Sequence, residues 1–201
     1  MISIVAATAN AHKVDEFRKL LAGQNVEVKS LLDYPDFPGV EENGKTFVEN
    51  AGIKALATCK YCDMPAFADD SGLEVEALNG RPGIFSARYA STDQERIEKL
   101  LAELKGVKNR RARFVCAIAI AINGEIIESF EGEIKGEIVD SPRGNSGFGY
   151  DPIFKPDGYE QTFGEMPLEL KNRISHRANA FKLALEFVED EMSILDDEFG
   201  L

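Results

Sequence analysis

The stretch ARFVCAIAIAINGEIIESFEGEIKGEIV, residues 112–139, decides the fold class. It reads as two long strands joined at Asn123-Gly124, a pair that tolerates the backbone of a two-residue hairpin turn. Working outward, strands and helices alternate. ISIVA (2–6) looks like a buried strand, and VDEFRKLLA (14–22) places Val14, Phe17, Leu20 and Leu21 at a helical period. A possible second strand, Val26–Leu31, lies in a segment punctuated by Pro35, Pro38 and Gly39. Thr46 and Glu49 form a capping-box pattern ahead of a long helix to about Tyr61. DQERIEKLLAEL (93–104) is an amphipathic helix, and SPRGNSGFGYDPIF (141–154) is a glycine-rich loop entering a short strand. Ser175 is a candidate N-cap for a closing helix whose stripe is Ala178, Phe181, Leu185 and Val188. Interleaved helices and strands with one long hairpin predict an α/β fold on a mixed sheet.

At 201 residues, without repeat or linker, residues 1–201 are expected to form a single domain. Lys and Arg total 23 against 35 Asp and Glu, a net charge of −12, which disfavours broad contact with a nucleic-acid backbone. An anionic ligand must therefore be small and locally neutralised. No apolar run approaches the roughly 20 residues of a membrane span, so no membrane partner is expected. MISIVAATANAHK lacks a basic leader region and reads as a first strand, which points to a cytoplasmic protein. Cys59 and Cys62 continue the helical stripe Ala51, Ala55, so they read as core residues; a structural zinc site would want a second pair of ligands.

Four stretches carry more polar specificity than folding needs. In TANAHK (8–13), Thr8, Asn10 and Lys13 follow a strand and open a helix, where free N–H groups and a lysine suit a phosphate; an ordinary N-cap is the plainer alternative. In FADDSGLEV (67–75) two carboxylates stand side by side, although neighbouring strand side chains point to opposite faces. Together with VEENG (40–44), carboxylates from two separate loops are the usual way to hold Mg2+, against the alternative of a simple turn that ends a strand. In GNSGFGYDP (144–152) glycines let the backbone approach a flat ligand, Phe148 and Tyr150 offer ring faces, and Asp151 offers an acceptor. In KNRISHR (171–177), Lys171, His176 and Arg177 gather around the first turn of the last helix, where cations oppose the helix dipole and invite an anion.

Taken together, T-x-N-x-x-K at 8–13, E-E-N-G-x-T-F-x-E-N-A at 41–51, A-D-D-S-G-L at 68–73, P-G-I-x-S-A-R-Y at 82–89, F-G-Y-D-P at 148–152 and S-H-R at 175–177 resemble, in order, the inosine triphosphate pyrophosphatase family. The resemblance implies an elongated two-lobed fold around a long mixed β-sheet with a nucleotide cleft between the lobes, and a homodimer. It implies Mg2+-dependent hydrolysis of ITP, dITP or XTP to the monophosphate and pyrophosphate. Family metal ligands carry over to Glu41 and Asp70, with Glu42 as the alternative, and Asp70 would also accept the proton of the attacking water. Thr8, Asn10, Lys13, Ser71, Lys171 and Arg177 would surround the phosphates and sugar. Phe148, Gly149, Tyr150 and Asp151, with His176 and Arg177, would surround the base. Asp69 would face away and brace the turn, while Ser71-Gly72 would let the backbone close on a phosphate. The related Maf-like pyrophosphatases lack the FGYDP…SHR ending, and a silent nucleotide-binding module would lack the carboxylates.

Overall fold

The computed structural model describes the backbone of residues 2–23 and 26–199 and the side chains of residues 3–23 and 26–187. The strands are β1 (Ile2–Ala6), β2 (Val26–Ser30), β3 (Ala66–Val75), β4 (Arg111–Ile122), β5 (Glu125–Ile138) and β6 (Phe154–Pro156). The helices are α1 (Ala11–Leu20), α2 (Phe47–Cys62), α3 (Asp93–Glu103), α4 (Leu168–Ile174) and α5 (His176–Phe199). Asn123 and Gly124 take φ of 52° and 78°, the positive values a tight hairpin turn requires, and fold β4 back onto β5. The sheet runs β2-β1-β3-β4-β5-β6, parallel through β2, β1 and β3 and antiparallel from β3 to β6. This is the mixed α/β architecture that the hairpin predicts.

The two-residue period of β4 divides the core. Val115, Ala117, Ala119 and Ala121 face α2 and meet Phe47, Ala51, Ala55 and Cys59. Cys116, Ile118 and Ile120 face the other way, onto Phe17 and Leu21 next to Phe181 and Ala184 of α5. Beyond both, the far ends of β3, β4 and β5 close over Leu100, Leu104, Phe154, Phe163 and Met166. Each fully buried side chain of this size stabilises the fold by about 1.5–3 kcal/mol. Cys59 is buried and Cys62 packs against the same cluster, as the stripe predicts. The Val188 side chain lies outside the described residues.

The structure departs from the sequence reading in three places. First, β3 runs unbroken through Asp69, Asp70, Ser71 and Gly72, each paired with β4, so this segment is neither a loop nor a turn. Gly72 is needed for another reason: a Cβ there would collide with the Gly83 carbonyl, Ser86 Oγ and the Phe47 ring, because the 83–88 turn crosses hard against the strand. Second, Thr46 Oγ1 caps α2 through the Glu49 N–H at 3.1 Å, but the Glu49 carboxylate turns to the Lys45 N–H, so the capping box is half made. Third, the residues ahead of the Ser175 cap, for which no element was expected, form the short helix α4 that carries Lys171, and the extended backbone of Ser175 (ψ 158°) separates it from α5.

Helix α5 lies so close to β5 that a Cβ at Gly132 would strike the Ala180 nitrogen and the His176 carbonyl oxygen. Gly132→Ala is therefore expected to cost about 1–3 kcal/mol by overpacking. Thermal unfolding should show a Tm lowered by about 2–4 °C per kcal/mol, and an unchanged Tm would mean that α5 yields freely.

Candidate active site

Strand β1 pairs with β3 only at Val5↔Ala66 and Ala6↔Phe67. Past that point the β1 chain turns through Thr8–Asn10 into α1, while β3 continues through Asp69, Asp70 and Ser71 with β4 alone beside it. With β2 and β3 on opposite sides of β1, and α1 and α2 on opposite faces, the carboxyl end of β1 is a topological switch point, where open α/β sheets form their ligand crevice.

Asp69 points toward the α1 and α5 face. Its carboxylate accepts from Lys13 Nζ at 2.9 and 2.8 Å, from Ser71 Oγ at 2.7 Å, and from Arg177 Nε and Nη2 at 3.4 Å each. Burial raises its pKa, but the Lys13, Arg177 and Lys54 charges outweigh burial and hold it well below the usual carboxylate range. Asp69 does face away from Asp70, yet it braces no turn; it is the buried counter-ion of the cations expected at the phosphates. The charges continue. Arg177 Nη1 donates to Glu16, Glu16 accepts from Lys171 Nζ at 3.4 Å, and Lys171 donates to Asp151 at 2.7 Å. Asp151 in turn accepts the Phe148 N–H at 2.8 Å. Five segments distant in sequence are thus joined into one alternating row of charge, and Lys171 Nζ ends 4.9 Å from the centre of the Phe148 ring.

Asp70 points to the α2 face, as strand period demands. It accepts from Lys54 Nζ at 3.1 Å and from Asn50 Nδ2 at 3.3 Å, and Lys54 also reaches Glu42 at 3.3 Å. Asn50 Oδ1 accepts the Gly44 N–H at 2.9 Å and so ties the 42–44 loop to α2. Burial raises the Asp70 pKa; Lys54 opposes this, while Glu42 and Asp69 add to it. Among the described residues no three His, Cys, Asp or Glu side chains form a metal cluster. Mg2+, however, needs only one or two carboxylates when substrate phosphates and water complete its shell. Asp70 and Glu42, both drawn to one ammonium, fit that description. Glu41 is exposed and outside this group.

The other expected residues fall into two sets. Thr8 Oγ1 accepts the Asn10 N–H at 3.1 Å, and Asn10 Oδ1 accepts from the His12 and Lys13 N–H groups at 3.0 and 3.4 Å, so α1 begins with its own cap already made. An anion there competes with Asn10 for those donors. Gly149 (φ 63°) donates its N–H to Asp93 at 2.7 Å and presents Phe148 at the crevice. Tyr150 turns inward: it is buried, and its hydroxyl donates to the Ser86 carbonyl at 3.0 Å, so its ring serves the core. The His176 ring stacks on Phe114 (4.7 Å, 11°), and its buried Nδ1 has no hydrogen-bond partner among the described residues. Burial, then Arg177 and Lys171, push the His176 pKa well down and keep the ring neutral. Ser175 Oγ caps α5 through the Ala178 N–H at 3.2 Å, leaving the His176 and Arg177 N–H groups outside the helical ladder.

Glu16, Asn50 and Lys54 were not singled out in the sequence. The available signal was weak: Glu16 lies one turn beyond Lys13 on α1, and Asn50 and Lys54 lie one turn apart on α2.

The Ham1 family profile matches residues 4–187. A Geobacillus kaustophilus protein named dITP/XTP pyrophosphatase is 52% identical over 185 residues, covering 90% of this chain and 91% of the relative. The Staphylococcus aureus Ham1 protein structure superposes with a TM-score of 0.85 at 44% identity, covering 94% of this chain and 99% of that one. A Mycobacterium abscessus structure titled nucleoside-triphosphatase / dITP/XTP pyrophosphatase gives 0.73 at 40% identity, over 92% and 98%. With the motifs in order, the topological switch point at the end of β1 and these matches spanning nearly the whole chain, the protein belongs to the Ham1 family.

Proposed function

We propose that this protein is a nucleoside triphosphate pyrophosphatase that hydrolyses dITP, XTP and ITP between the α- and β-phosphates with Mg2+, and so clears non-standard purines from the nucleotide pool. The observation that carries the reading is the charge balance of the crevice. Lys13, Lys54, Lys171 and Arg177 are four cations set among five carboxylates, Glu16, Glu42, Asp69, Asp70 and Asp151. A triphosphate adds several more negative charges, so binding asks for an additional cation beside Asp70 and Glu42. When bound, Mg2+ would neutralise phosphate charge at that place.

The remaining work falls to the chain. Lys13 and Arg177, both hydrogen-bonded to Asp69, offer donors to phosphoryl oxygens, and Asp70, with its raised pKa, is the proton acceptor for water. The free N–H groups at the start of α5 favour the 6-keto group of hypoxanthine or xanthine, since the amino group of adenine would leave a donor unpaired. The family relatives named dITP/XTP pyrophosphatase support this substrate class. A homodimeric assembly and a cytoplasmic location belong to the same reading; no helix among the described residues is long and apolar enough to cross a membrane.

The test is product analysis with XTP, with Mg2+ and with excess chelator. The expected products are XMP and pyrophosphate, formed only with the metal; release of XDP and orthophosphate would refute the reading. Lys13→Ala should lower kcat/KM for every triphosphate alike, because a phosphate contact does not read the base. A shift in the XTP:ATP ratio would instead place Lys13 at the base.

A further inference from the structure

His12 stands outside the ion network, in the first turn of α1 between the cap residue Asn10 and Lys13. Its ring lies nearly parallel to that of Phe148, 18° between planes and 5.8 Å between centres. Neither residue is part of a hydrophobic cluster: His12 is exposed and Phe148 is half-buried. Both backbones are pinned. The His12 N–H is held by Asn10 Oδ1 at 3.0 Å, and Phe148 sits between two positive-φ glycines, Gly147 and Gly149, with its own N–H on Asp151. Two rings on pinned backbones, one from α1 and one from the 147–149 loop, nearly parallel and outside the core, can open into a slot for a third flat group. A base in contact with both rings needs two layers of about 3.5 Å, or about 7 Å in all. With the ring centres 5.8 Å apart the planes are at most that far apart, so the slot is at least about one ångström too narrow and the two side chains must rotate apart to admit a base.

We propose that His12 is the second wall of the purine slot, a positioning residue that stacks on the face of the base opposite Phe148. The proposal rests on the nucleotide reading above, and it assigns His12 a share of binding and none of the proton transfer. A flat imidazole ring suits the role, because stacking is tolerant of base identity and adds affinity without selecting one purine. Lys13, the next residue, then reaches the phosphates of the same nucleotide.

The test is titration calorimetry of XMP with wild type, His12→Ala and His12→Phe, together with steady-state kinetics on XTP and inhibition by inorganic tripolyphosphate, which has no base. His12→Ala should weaken XMP binding and raise the XTP KM by about tenfold, with kcat within about twofold. Tripolyphosphate inhibition should be unchanged, and His12→Phe should restore the wild-type values. Equal XMP affinity in wild type and His12→Ala would overturn the proposal. So would tighter binding, which would make the ring an obstacle, or a parallel loss of tripolyphosphate inhibition, which would make it a phosphate residue. If wild type binds XMP but does not cleave XTP, the functional reading fails while the calorimetry still decides the slot.

Discussion

Asp70→Asn is expected to lower kcat on XTP by about 10³-fold or more, with little change in Tm or in XMP affinity. The amide keeps the volume of the side chain and its place beside Asn50 and Lys54, but it carries no charge and accepts no proton. Lys54 would keep Glu42 as a counter-ion at 3.3 Å, so no buried cation is stranded and the fold should hold. Stopped assays with matched melting curves check both halves. Retention of more than a tenth of wild-type kcat, a barrier change under about 1.4 kcal/mol, would exclude Asp70 as the essential acceptor.

Asp69→Asn should act through stability. It leaves the half-buried Lys13 without its carboxylate and the buried Arg177 with Glu16 alone, and weakening a network of this kind costs up to about 3–5 kcal/mol. For a chain of this size the Tm should fall by about 10 °C. The sign of the pH effect follows from the depressed Asp69 pKa. Its contribution is complete above the unfolded carboxylate value, about 3.9, and is lost as pH falls further toward the folded value. Wild type should therefore lose stability below about pH 4 more steeply than Asp69→Asn does. A variant that melts like wild type but loses kcat as completely as Asp70→Asn would show that the two carboxylates have exchanged roles.

Much of this was legible because it is local. The Asn123-Gly124 turn, the stripe of α2 and the opposite orientation of Asp69 and Asp70 all follow from turn chemistry or from a period of two or 3.6 residues. The partners of those aspartates were not legible, since Lys13 and Arg177 reach Asp69 from 56 and 108 residues away. Glu16 looks like any solvated acid on an amphipathic helix until α4 and α5 bring Lys171 and Arg177 onto it. Tyr150 shows the converse. An aromatic beside flexible glycines reads equally as a stacking ring or as core, and the Ser86 carbonyl decides for the core. Glu41 and Glu42 are indistinguishable as neighbours in a loop; only the fold brings Lys54 of α2 to Glu42, at 3.3 Å.

The proposed activity requires the site to act on keto purines and refuse adenine. It is tested most directly by measuring kcat/KM for XTP, dITP and ATP at one fixed Mg2+ concentration, scored by pyrophosphate release. XTP and dITP are expected to exceed ATP by at least about 10²-fold, since on the proposed reading the donors at the start of α5 would pair with a 6-keto group and not with an amino group. Comparable values for ATP and XTP would contradict it and make the protein a general nucleotide pyrophosphatase.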